Sequence, residues 1–199
     1  RNTVGPIAGV LGVWLGPGRH PAGGIKAFRH LEVRSTQQRT LKRERALFQI
    51  ILAIHILAAV IFLGNIITTA FWKVRADKSG NLEHMAMTSR SILLADYVFT
   101  GPGIATLLVT GILLAGLSGW ERFQEMWLGL SLALLFLTAF IWAGVLIPLQ
   151  LRMVRLSQEG LASGSLDPAY TRTSKRWSMY GGIATLLPII ILFLMVLRP

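Results

Sequence analysis

The sequence predicts an all-α polytopic membrane protein, an antiparallel bundle of four transmembrane helices, and three observations carry the prediction. The 199 residues are 53% apolar and 15% charged, whereas soluble domains carry about a quarter charged residues. Mean hydropathy is +0.57. The charges sit in short blocks between long uncharged runs, the distribution expected of charge held at a membrane surface.

Each element follows in order. Residues 1–45 stand apart as a basic arm: Thr3 to Gly18 is apolar but rich in Gly and Pro, and Lys26 to Arg45 holds seven Lys/Arg among twenty residues. The arm is expected to be flexible and to lie on anionic lipid, or else to be sequence outside the domain proper. The domain proper is 46–199. Its first span is Ala46 to Trp72, with no charged residue, and its second is Ser91 to Gly119, with Asp96 as its one charge. Met126 to Leu151 and Trp177 to Leu197 complete the set, both uncharged. A span needs about 20 residues, and all four runs exceed that. Trp72, Trp120, Trp127 and Trp177 fall at or beside the ends of the runs, where interfacial aromatics belong. Gly101-Pro102-Gly103 should interrupt the second span and Pro188 the fourth, as kinks that neighbouring helices tolerate. The link between spans two and three is short, while residues 73–90 and 152–176 read as longer basic loops.

Charge and composition exclude several functions. A net charge of +11 raises nucleic acid as a partner, but its placement between apolar runs assigns it to the membrane surface instead. No cysteine is present, which removes disulfides, thiolate metal sites, iron–sulfur clusters and thiol nucleophiles. There is no Ser-His-Asp spacing, no HExxH and no phosphate-binding glycine loop, so no catalytic residue is assigned. Residues 73–90 and 152–176 hold nine basic residues, against eleven on the other side if the whole arm is counted. Discounting the distal arm reverses or levels the balance, so the charge count leaves orientation open, with a slight lean toward both loops in the cytoplasm.

Polar groups inside a membrane are costly, so each is a candidate for function. His55 is the one histidine within a span, about 13 Å into a core of about 30 Å. It could ligate haem iron or another metal, relay a proton, or hydrogen-bond a facing helix. A second set emerges from depth. In antiparallel helices, Asn65 and Thr69 near the end of span one lie level with Asp96 and Thr100 near the start of span two. Gln150 and Arg152 at the end of span three, and Arg176 and Tyr180 at the start of span four, reach the same leaflet. Together they read as a polar mouth, with Arg152 the leading partner for Asp96 and Arg90 or Arg176 the alternatives. Such a mouth could bind an anionic head group, a haem propionate or a proton, or simply orient the helices.

The runs "LAIHILAAVIFLGNIITTAFWKVRAD", "ILLADYVFTGPGIATLLVTGILLAG", "WLGLSLALLFLTAFIWAGVLIPLQLRM" and "RWSMYGGIATLLPIIILFLMVLRP" resemble an uncharacterised bacterial family of predicted four-helix integral-membrane proteins. The resemblance covers about residues 46–199. That family is distantly similar to copper-resistance protein D and to the haem-dependent protoporphyrinogen oxidase, through a first helix with His-Ile and a following Gly, here His55-Ile56 and Gly64. The resemblance implies a multi-pass protein of the bacterial cytoplasmic membrane and haem b or a porphyrin as cofactor, with His55 as an axial ligand. The sequence departs from the oxidase in having no histidine in its third or fourth span. The alternatives are a non-catalytic membrane subunit or lipid-interacting scaffold, and a small-ion or metal transporter. A homodimer would let two His55 side chains flank one iron across a two-fold axis.

Overall fold

The computed structural model describes residues 22–198, and every long element among them is helical. The chain divides into two compact units, 1–45 and 46–199. Of the arm expected over residues 1–45, residues 22–45 are helical with the side chains from Thr36 to Arg45 exposed, and residues 1–21 lie outside the described residues.

The second unit holds a four-helix bundle. We number its helices α1 (Ala22–Ser79, of which this unit takes the part from Ala46), α2 (Leu82–Ser118), α3 (Met126–Ser163) and α4 (Pro168–Leu197). Among the described residues these four are long and apolar enough to cross a membrane. Outward faces are apolar too: Ile54, Val60, Val98, Phe136, Phe140 and Phe193 are all exposed. Such surface suits lipid and not water, as expected of helices that are hydrophobic all round.

The basic loops expected at 73–90 and 152–176 are corrected by the structure, which makes them mostly helix. α1 and α2 are separated only by Gly80 and Asn81, and α3 and α4 only by residues 164–167. Local chemistry explains the overrun. Gly80 (φ 64°) and Gly164 (φ 73°) take the left-handed conformation that ends a helix, which costs glycine least. Asn81 then caps α2 by accepting the His84 N–H at 3.0 Å. Asp167 caps α4 through Ala169 N–H at 2.6 Å, ahead of Pro168 in the first turn.

The expected interruption at Gly101-Pro102-Gly103 takes the form of a widened turn, not a break. Residues Asp96–Thr100 form a π-turn in which Gly101 N–H reaches back to the Asp96 carbonyl. Trp142–Leu146 form a second, closed by Ile147 N–H on the Trp142 carbonyl, just before Pro148. A proline lacks the N–H that a regular helix would use, and the wider turn accommodates that loss. Pro188 is buried inside α4, which continues through it.

Packing follows the antiparallel order. At Gly103 an added Cβ would come within 3.2 Å of Phe62 Cβ, so α1 and α2 cross closely there. Phe62, Ala58 and Leu107 form a small apolar core at that crossing. A larger one joins Ala76, Met85, Ile92, Met153, Tyr170 and Trp177, drawn from all four helices.

Candidate ligand site beside Asp96

Asp96 stands on the first π-turn, 6% exposed, and all the hydrogen bonds to its carboxylate come from neutral donors. Asn65 Nδ2 donates to Oδ1 at 3.1 Å, and Thr100 Oγ1 donates to the same oxygen at 2.8 Å. Asn65 also donates to Thr100 Oγ1 at 2.9 Å, which aligns the Thr100 hydroxyl toward the carboxylate. Gln150 Nε2 donates to Oδ2 at 2.6 Å, and Trp142 Nε1 reaches it more weakly at 3.4 Å. Thus α1, α2 and α3 are tied through one side chain. Thr100 and Asp96, four residues apart, lie one turn apart on the same side of the helix. An added Cβ at Gly101 would come within 3.1 Å of the Trp142 ring, so a small residue there admits the indole.

The remaining members of the expected mouth divide. Thr69 donates to the Asn65 carbonyl at 2.7 Å and lines the same cavity as Asp96. Arg152, Arg176 and Tyr180 are exposed, line no part of that cavity and make no hydrogen bond to Asp96. The Asp96–Arg152 ion pair is therefore absent, as are pairs with Arg90 and Arg176; ion pairs among the described residues are Lys73–Asp77, Arg122–Glu125 and Arg155–Glu159. Helical geometry gives the reason. Arg152 is two residues past Gln150, about 200° around the helix, so Gln150 facing inward turns Arg152 outward.

Beside Asp96 lies a cavity of about 330 Å³, to which all four helices contribute. Its walls are mainly apolar, with Phe62, Ile66 and Leu146 among them, and its polar members include Asp96, Thr100 and Gln150. Two lining residues carry buried polar atoms without a partner: Gln150 Oε1, on a residue 1% exposed, and Trp177 Nε1, on a residue 6% exposed. Unpaired buried polar atoms are rare because each forfeits its hydration, and both of these belong to residues that line this one cavity. Nothing in the sequence flagged Trp142 or Trp177 as members of this site, since indoles within and beside spans read as core or interface.

His55 occupies a separate environment. Its Nδ1 is 2.7 Å from Thr110 Oγ1, and the Thr110 hydroxyl donates to the Thr106 carbonyl at 2.5 Å. With that proton committed, Nδ1–H is the donor and Nε2 keeps its lone pair. An added Cβ at Gly111 would sit 3.5 Å from the imidazole, so the ring packs over a small residue. The cavity lined by His55, Ser131 and Met195 measures about 60 Å³. One water occupies about 30 Å³ of liquid, so this space suits a few small molecules at most and no porphyrin. His55 lines no part of the larger cavity. The described residues thus give no room for haem beside His55, and no cluster of three His or carboxylate groups among them could hold a metal ion.

Sequence reasoning missed a third polar cluster. Lys73, 1% exposed, donates to Asp77 Oδ2 at 2.5 Å, to Ser174 Oγ at 3.0 Å and to Tyr170 OH at 3.2 Å. Tyr170 OH in turn donates to Asp77 Oδ1 at 3.0 Å, and Ser174 Oγ to Oδ2 at 2.6 Å. The ammonium's three hydrogens are all used, and α1 is clamped to α4. The available signal was Lys73 and Asp77 at i, i+4, meaningful only once the helix is known to run past Trp72.

No curated protein and no solved structure matches the chain. One family model does, over residues 49–199, and its description is predicted integral membrane protein (DUF2269). With four apolar helices and a match over most of its length, the chain belongs to this family of multi-pass membrane proteins.

Proposed function

We propose that the protein is a membrane-embedded binding protein that holds a small amphipathic molecule in the cavity beside Asp96. The observation that carries this reading is the pair of unpartnered atoms, Gln150 Oε1 and Trp177 Nε1, on residues lining a largely apolar space. An apolar pocket of about 300 to 1,000 Å³ with a few convergent polar groups is the usual form of a small-molecule site, and 330 Å³ falls within it. Asp96 and its donors orient the ligand, and Phe62, Ile66 and Leu146 bury its apolar part. The bacterial cytoplasmic membrane is the proposed location. Exposed basic residues of the first unit, among them Arg39, Lys42 and Arg43, support contact with anionic lipid there.

Gly181 gives a direct test. It lines the cavity, and a Cβ added there meets no atom within 4 Å. Leu in its place should occupy the space without disturbing Asp96. A panel of small amphiphiles screened by thermal unfolding in detergent should raise the midpoint of the wild type and leave that of Gly181→Leu unmoved, since only bound ligand stabilises. Equal shifts in both proteins would refute the reading.

A further inference from the structure

We propose that the cavity beside Asp96 selects a small organic cation, a protonated amine carried on an apolar body. This rests on the binding reading above and adds the chemistry of the ligand.

Charge is the first ground. The side chains that donate to Asp96, namely Asn65, Thr100, Gln150 and Trp142, are all neutral, and none of the described ion pairs includes it. Neutral dipoles solvate a carboxylate but leave its charge uncancelled, and an uncompensated charge within a membrane is expensive. A ligand that brings the opposite charge completes the site.

The pattern of vacant hydrogen bonds points the same way. The Gln150 amide nitrogen is engaged by Asp96, so its unpartnered Oε1 is an acceptor beside the carboxylate. The Asp96 oxygens already take four donors, so Gln150 Oε1 is the open acceptor, and a charged N–H donor placed on it would also lie beside the carboxylate. The unpartnered Trp177 N–H further favours an amine whose body also carries an oxygen acceptor.

The walls supply the third ground. Phe62, Trp142 and Trp177 all line the cavity, and aromatic faces attract ammonium groups. An anion is disfavoured because Arg152 and Arg176 stay outside. A bare metal ion is disfavoured because Asp96 is the one carboxylate in the lining.

The test is a titration of the intrinsic tryptophan fluorescence of the whole protein in zwitterionic nanodiscs. Three probes share a phenethyl-sized body and differ in charge: phenethylamine, phenethyl alcohol and phenylacetate. Wild type should saturate with the amine at least about tenfold more tightly than with the alcohol, the difference expected of one charge-assisted contact, and should show no saturation with the acid. Asp96→Asn should erase the preference for the amine, and Gly181→Leu should erase saturable binding of both. Alcohol or acid binding as tightly as the amine would overturn the cation assignment while leaving the binding reading in place. Saturation with none of the three, or saturation untouched by Gly181→Leu, would overturn the binding reading itself. The probe series on wild type needs no variant, so the outcome stands even if Asp96→Asn fails to fold.

Discussion

Two carboxylates organise this bundle, and they are built in opposite ways. Asp77 faces a cation: Lys73 joins it with Tyr170 and Ser174, and no described cavity reaches either member of the pair. Asp96 faces neutral amides, a hydroxyl and an indole, and borders about 330 Å³ of space with unpartnered atoms in its lining. The first cluster has its charge compensated and its donors spent, which is what a structural clamp requires. The second solvates a charge and leaves room. Polarity inside a membrane is therefore insufficient to mark function; what separates the two clusters is whether charge and hydrogen bonds close within the protein.

The sharpest way to break the comparison is to open the closed cluster. Asp77→Ala strands the buried Lys73 ammonium; loss of one partner from a fully buried pair costs about 3–5 kcal/mol, and the partial exposure of Asp77 puts this loss at the lower end. The denaturation midpoint in mixed micelles should fall accordingly, and Lys73→Met with Asp77→Leu should recover most of it. Recovery would show that the pair contributes mainly by satisfying itself. Asp96→Asn should cost less, about 1–2 kcal/mol, since a neutral amide still accepts some of the same donors. Its larger effect should be on ligand binding. A stability loss as great as that of Asp77→Ala would instead put the two clusters in one structural class.

Smaller effects sharpen the picture elsewhere. His55→Leu removes the contact with Thr110 and should cost about 1 kcal/mol, the scale of a single interhelical hydrogen bond in a membrane. Absorption spectra of wild type and this variant should both lack a haem band. Arg152→Gln should move the midpoint by no more than about 0.5 kcal/mol, because the side chain is exposed and pairs with no carboxylate.

Much of this architecture was legible in the sequence, for a physical reason. Length and lack of charge announce a membrane span without any tertiary knowledge, so the four helices and their order could be read from hydropathy. Depth arithmetic along antiparallel helices also grouped Asn65, Asp96, Thr100 and Gln150, which the structure joins by hydrogen bonds. What it could not supply was rotation about each helix axis. Depth alone puts Gln150 and Arg152 in the same leaflet; only the inward face distinguishes them. Helix ends were misjudged because charge was read as loop, although Gly80-Asn81 and Asp167-Pro168 carry the stop and start signals. The Lys73 clamp was hidden by the same error. Trp142 was hidden for a different reason, since a π-turn changes which residues share a face and hydropathy does not register it.

The two π-turns have a consequence for chain length. Each spends one residue more than a regular turn, and both abut the cavity, Asp96 on one and Trp142 on the other. If Asp96–Thr100 closed into a regular α-turn with no residue removed, the two halves of α2 would turn against each other by about 100°, the angle per residue. Asp96 and Thr110 could then no longer both face inward, so the protein would keep its hydropathy profile and its number of spans while losing either the cavity or the His55 contact. The polar face of this membrane domain is thus set by counting as much as by composition: each π-turn absorbs one supernumerary residue and so holds the halves of its helix in phase.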